Sequence, residues 1–439
     1  MPTAPPVLPD DLAATLPDPT FDLPRFLEGV ATQGDVVSFT HGGRKRVLIN
    51  DAAFVARFLQ EAGDETRHAP INESTAAVTG DGLLSSTEPR WRPRRLLVQR
   101  QLSHRKVREH LDVFADSTTA WLAGLTDGRA VDLHAQLTGL TLDNLGDTVF
   151  AADFRPLREL LSRVMTGVLS VAAAANAGLD DEGVRAALHS DVARVDELIA
   201  SMMSERENAN TVGTDVLSVL VAAARQQDDT FNTRWARDEA LTLIVAGHDT
   251  TSLLTTLALS LLARHPHVRE VLRGELRAAR AEGTPQSNLC EEVPLVRHVL
   301  AETLRLYPPV PVLHRLATQD VTVQGHTVPA GTLLVFSPWV QHRDSRHFVD
   351  PHAFDPWRFS DQRRAEVGPA YIPFGAGRRI CAGNHFATLQ SAMILTLVTL
   401  LADIETSPQE PALTYAVALR LRDGLPARLR PVVERQDAP

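Results

Sequence analysis

A chain of 439 residues with 44% hydrophobic and 22% charged residues has ample material for a large core, which excludes general disorder and describes an ordinary globular protein. Only Cys290 and Cys381 are present, which excludes a disulfide framework and a cysteine-rich zinc site and suits a reducing, cytoplasmic setting. The net charge is -10 and no nucleic-acid-binding motif is present, so the chain is not expected to bind nucleic acid.

Residues 1–25 form a proline-rich extension with neither a charged start nor an apolar run, which predicts neither a signal peptide nor a membrane anchor. Short strands are expected at 46–49, 321–323, 332–336 and 413–421, between turns such as Gln324-Gly325 and Pro329-Ala330-Gly331. Helical periodicity marks 98–114, 137–150, 184–203, 235–264, 268–282, 294–306 and 384–401. The predicted fold is therefore mainly α with a small β region, organised as one unit over residues 1–439. Between Arg90 and Arg108 stand seven arginines and Lys106 without an acid. On an acidic protein such a patch suits a ligand carboxylate together with an acidic protein partner.

The stretch 241–262 is apolar enough to suggest a membrane span, but Gly247, His248, Asp249, Thr250 and Thr251 interrupt it. A buried helix that lines a site explains both the apolar run and its polar break. Cys290 lies beside Glu291 and Glu292 in a polar connection and reads as an incidental thiol. His314 and the other scattered histidines form no ligand cluster in the sequence and read as ordinary polar residues.

Cys381 sits in Phe374-Gly375-Ala376-Gly377-Arg378-Arg379-Ile380-Cys381-Ala382-Gly383, directly before an apolar helix carrying Phe386, Leu389, Met393, Leu397 and Leu400 on one face. A cysteine there stands near the positive end of a helix dipole with backbone N–H groups converging on it. That setting favours the thiolate, which is the metal-ligating form. Gly375, Gly377 and Gly383 let the backbone fold tightly around the sulfur, Phe374 can screen it from water, and Arg378 and Arg379 suit ligand carboxylates.

Phe374, Gly377, Arg379, Cys381 and Gly383 reproduce F-x-x-G-x-R-x-C-x-G, and on these residues the chain resembles the cytochrome P450 monooxygenases, whose haem-binding loop has this pattern. Ala246-Gly247-His248-Asp249-Thr250-Thr251 is similar to the family's A-G-x-D/E-T-T segment. There, small Ala246 and Gly247 leave room for a flat macrocycle, while Asp249 and Thr250 form a proton relay. Glu302 and Arg305 match the E-x-x-R pair, one helical turn apart, and Arg358 in Phe354-Asp355-Pro356-Trp357-Arg358-Phe359 stands where the family completes that buried network. The resemblance assigns the haem propionates to Trp91, Arg95, Arg315 and Arg379, although the family more often has histidine at the position of Trp91. It puts substrate contacts at the loop 69–84, at Val245, Ala246 and Thr250, at Val310, Val312 and Leu313, and at the turn 416–418 with Val417.

The resemblance runs in motif order from Gly80 to Gly424. It implies a cytochrome P450 fold and haem b, with the iron on the Cys381 thiolate. It further implies a soluble, monomeric enzyme that activates dioxygen and hydroxylates or epoxidises a hydrophobic small molecule, such as a terpenoid, fatty acid or other secondary metabolite. Electrons would come from a separate ferredoxin and ferredoxin reductase. Oxidative ring closure or C–C coupling stays open, because both begin from the same oxidant. A non-catalytic haem-binding protein would have no use for the Asp249 and Thr250 relay.

Overall fold

The computed structural model describes residues 3–16, 18–41, 43–61, 66–68, 78–176, 182–208, 213–415 and 417–432. Helices dominate. The helix Asn384–Leu401 is buried on every face from Leu389 to Leu400 and packs against Leu111–Ala123, Asp249–Arg264 and Pro294–Leu306. Among the described residues it is the one helix long and apolar enough to cross a membrane, yet 72% of it is buried inside the protein, as a core helix would be. Its side chains join a single large cluster of buried apolar residues that reaches from Leu8 to Leu429.

The helices at Pro294–Leu306 and Asn384–Leu401 have the expected bounds, whereas other expectations are corrected. The segment 98–114 is three helices, Trp91–Gln101, His104–Arg108 and Leu111–Ala123. Extended Ser103 breaks the first junction, its hydroxyl donating to the Arg100 carbonyl at 3.0 Å. The segment 413–421 is a hairpin of Leu413–Tyr415 and Leu419–Leu421 instead of one strand.

The run 235–264 is also divided, into Thr233–Gly247 and Asp249–Arg264, with His248 between them. Side chains occupy the carbonyls around this break. His248 Nδ1 meets Ile244 O at 2.7 Å, Thr250 donates to Ala246 O at 3.0 Å, and Thr251 donates to Gly247 O at 2.9 Å. Thr141, on the neighbouring helix Leu133–Leu145, donates to His248 O at 3.2 Å. Hydroxyls that compete for helix carbonyls in this way bend a helix without leaving its backbone unsatisfied.

A five-stranded sheet has the order Val36–His41, Arg44–Ile49, Leu333–Phe336, Leu313–Ala317, Thr66–His68. Its register fixes which side chains share a face, because directly paired residues point the same way. Arg46 pairs with Leu333, and both Leu48 and His314 pair with Val335, so Arg46 and His314 share one face. Arg315 and Leu313 lie on the other.

Candidate active site

The loop before Cys381 is shaped by its own backbone. Cys381 N–H donates to Phe374 O at 2.9 Å, and Gly375 N–H donates to Ile372 O at 3.0 Å. Gly377 has φ +69°, and a Cβ there would run into the Leu59 carbonyl, so both conformation and space require glycine. Gly383 differs from expectation: with φ -91° it needs no special freedom, and nothing lies within 4 Å of where its Cβ would be. Its contribution is open space. Phe374 is half-buried against the main core.

Cys381 stands three residues before the helix Asn384–Leu401. Although the residue lies deep in the molecule, its side chain is accessible, which happens where a group faces an interior hollow. Burial pushes its thiol above the ordinary value, while the Gly383 N–H and the Arg95 charge pull it back. Ala246 is likewise exposed, although Ile244 and Val245 before it are buried. Arg95 acts electrostatically on both Cys381 and Glu239, and Glu239 lies two turns before Ala246, so the loop and the helix border one interior region.

Three arginines edge this region without an acid at ion-pair distance among the described residues. Arg95 is 7% exposed and Arg315 is 9% exposed. Arg95 Nε donates to Gln99 Oε1 at 3.2 Å, and Arg315 donates to the His314 carbonyl at 3.3 Å. Arg379 lies over the Trp91 ring, 4.0 Å from its centroid, and donates to Ser86 O at 3.0 Å and Leu83 O at 3.4 Å. Burial lowers all three, and the charges of Arg315 and Arg95 help to bring Arg379 down to about 10, against a smaller opposing pull from Glu88. Three cations crowded in a desolvated place call for a polyanion. Buried Trp91 serves in this arrangement as the platform under Arg379.

Residues 78–86 are gripped by groups that sequence reasoning did not single out. Asp238 Oδ2 accepts Asp81 N–H at 2.8 Å, and Glu239 Oε2 accepts Leu83 N–H at 3.0 Å. Arg94, one of the seven arginines of the basic patch, is 1% exposed and bonds both Asp81 O at 2.8 Å and Asp81 Oδ2 at 2.9 Å. The signal was present in the sequence, since two adjacent acids at the start of an apolar helix need partners. Residues 69–77 of the expected substrate loop lie outside the described residues.

Burial pushes the Glu239 carboxyl up to about 8, with the Leu83 N–H and the Arg94 charge opposing. Its Oε1 has no hydrogen-bond partner, and the Trp235 N–H nearby does not reach bonding geometry. A raised carboxyl contributes stability that is complete below the unfolded value and is lost as pH rises through about 8. Glu239→Gln keeps an acceptor for Leu83 and carries no charge. Its melting temperature should therefore rise relative to the native protein between about pH 5 and about pH 9. A difference that stays constant across that range would remove this role for Glu239.

The expected structural network is present and buried. Arg305 Nε and Nη2 each donate to Glu302 at 2.7 Å, with both residues 0% exposed. Arg358 Nε stands 3.5 Å from Glu302 Oε2, close enough for ion pairing but outside hydrogen-bond geometry. Asp355 N–H donates to Glu302 Oε1 at 3.0 Å, and Arg305 donates to the carbonyls of His342, Pro351 and Ala353. His342 Nε2 accepts Ile372 N–H at 3.0 Å, which leaves the proton on Nδ1 to meet Arg305 O at 3.2 Å. The network thus reaches the start of the cysteine loop.

The remaining site residues divide. Val245 and Val312 are buried in the main core, and Val310 is half-buried beside the hairpin, whose Leu419 N–H donates to Pro309 O at 2.9 Å. Half-buried Val417 lies in the hairpin turn, and Ala416 lies outside the described residues. Leu313 parts from this group, packing with the sheet cluster, its Cδ1 3.7 Å from where a Cβ on Gly375 would be. Cys290, expected in a polar connection, is 1% exposed in the core, where burial pushes its thiol up to about 12.

The family model for Cytochrome P450 matches residues 26–414. The chain belongs to the cytochrome P450 family. It is 28% identical over 395 residues to a cyclooctatin synthase of Streptomyces melanosporofaciens, covering 85% of this chain and 84% of that one. It is 27% identical over 445 residues to leukotriene-B4 omega-hydroxylase 3 of Mus musculus, covering 93% and 82% respectively. The crystal structure of the cytochrome P450DA heme domain aligns with a TM-score of 0.84 over 98% of both chains at 22% identity, which establishes the P450 fold. Membership makes the protein a haem-dependent monooxygenase whose iron is held by a cysteine thiolate. The residues present fit that cofactor: an accessible thiol deep in the chain, open space at Gly383 and Ala246, and three arginines with no acid at ion-pair distance among the described residues, for a group with two carboxylates.

Proposed function

We propose that the protein hydroxylates or epoxidises a hydrophobic small molecule, drawn from terpenoids, fatty acids or other secondary metabolites. Cys381 ligates the iron, Arg95, Arg315 and Arg379 hold the propionates, and Trp91 and Phe374 brace the loop. Bound haem supplies the one-electron and dioxygen chemistry. The chain's own contribution is to exclude water with Val245, Val310 and Val312 and to hold a proton at Thr250 Oγ1, replenished through Asp249. The observation that carries this reading is the helix break: Thr250 is partly accessible beside exposed Ala246, and Asp249 begins the second helix where the ladder is interrupted. The cyclooctatin synthase and the leukotriene-B4 hydroxylase differ in the molecules they are named for, so the substrate is left at the level of class. We assign the protein to the cytoplasm, as a monomer and one catalytic unit over residues 1–439, supplied with electrons by a separate ferredoxin and ferredoxin reductase.

The test is turnover with a surrogate ferredoxin and its reductase on terpene and fatty-acid panels. In Thr250→Ala, consumed electrons should appear mainly as hydrogen peroxide, with product per electron falling about tenfold or more. Unchanged coupling would exclude Thr250 from proton delivery, and absence of oxidised product across both panels would count against the substrate class.

A further inference from the structure

The arginines assigned to the propionates share one signature, a guanidinium lowered by burial with no acid at ion-pair distance among the described residues. Arg343 is also lowered but has Glu28 at 3.6 Å. Among the described residues, Arg46 is the one further arginine with the full signature. Its Nε is buried without a hydrogen-bond partner, and so is Nε2 of His314 on the same face of the sheet. The charge of Arg46 acts on His314, on His41 and on Tyr415. His41 is 8% exposed and Tyr415 is 9% exposed. Asp18 also acts on His41, in the opposite sense to Arg46. Burial drives His314 down to about 3 and Tyr415 up to about 12, so at neutral pH both are uncharged beside one permanent cation.

Such an arrangement is costly as it stands, because Arg46 Nε and His314 Nε2 are each buried without a bond. A carboxylate supplies what is missing: one negative charge, and two oxygens that accept from a guanidinium and from a neighbouring imidazole N–H or phenol. The location gives it a purpose. His314 follows the Val310 to Leu313 segment, and Tyr415 precedes Val417 in the hairpin that bonds to Pro309.

We propose that Arg46, His314 and Tyr415 form a carboxylate pocket that anchors the acidic end of an elongated substrate lying past Val310 and Val417. This deepens the reading above and rests on its placement of the substrate wall. Purified holoenzyme is titrated at neutral pH with dodecanoate, methyl dodecanoate and 1-dodecanol, the Soret shift giving each Kd, with sodium acetate as a competing free carboxylate. Dodecanoate should bind about tenfold or more tightly than the ester, Arg46→Met should erase that preference while moving the ester by less than about twofold, and Arg46→Lys should keep part of it. Haem content equal to the native protein verifies folding, and His314→Gln serves as a second variant if Arg46→Met is unstable. Equal binding of acid and ester, or a preference that survives Arg46→Met, would overturn the anchor. Acetate binding that depends on Arg46 without any preference for acid over ester would mean a pocket for a free carboxylate and would overturn it too. Failure of all three chains to shift the spectrum would count against the apolar wall itself, and the anchor would fall with it.

Discussion

Purified Cys381→Ala is expected to lose the reduced, carbon-monoxide-bound absorption band of thiolate-ligated haem and to fall to background turnover. The chain has only two cysteines, and Cys290 is sealed in the core with its sulfur directed at the Ser287 carbonyl, 3.7 Å away. Cys381 alone combines depth with access. Its thiol is pushed up by burial, so the deprotonated form needs a compensating cation beyond Arg95, and a bound iron provides one. Cys290→Ala should leave the band intact and cost only the packing of a small side chain. Persistence of the thiolate band in Cys381→Ala would refute the assignment.

Glu302→Ala should yield protein with little or no haem after expression with ample iron and precursor. Removing the carboxylate leaves Arg305 and Arg358, both buried, without their shared anion, at a cost of about 3 to 5 kcal/mol. It also releases Asp355 N–H and loosens Arg305, which holds three carbonyls between His342 and Ala353. Because His342 in turn accepts Ile372 N–H, disorder there passes directly into the loop that ends at Cys381. Far-ultraviolet circular dichroism separates loss of haem from general unfolding. A helical variant with a native haem-to-protein ratio would show that the network does not support the cofactor loop.

Both predictions concern residues that were legible in the sequence because their chemistry is local. The glycines of the cysteine loop, the polar break in an apolar helix and the Glu302 to Arg305 spacing are each contained within a few residues, where backbone geometry alone restricts what they can do. Helix bounds were readable for Asn384–Leu401 because its apolar residues leave no other conformation that buries them. They were misread at 98–114, where Ser103 and the neighbouring arginines carry no periodic signal of the break.

Other features needed elements far apart in the chain to meet. Arg94 is one arginine among the seven of the basic patch in the sequence, and it is buried only because Asp81, the Thr230 carbonyl and the Trp235 ring meet around it. His314 looked ordinary until the strand register set it on the same face as Arg46. Leu313 and Val312 are adjacent in sequence, yet Val312 joins the main core just before the strand that begins at Leu313, and Leu313 packs with the sheet cluster. Desolvation is a property of the surrounding volume: the same guanidinium is harmless in water and demands an anion when buried, so composition and spacing could name the chemistry of the haem loop but not the partners waiting elsewhere.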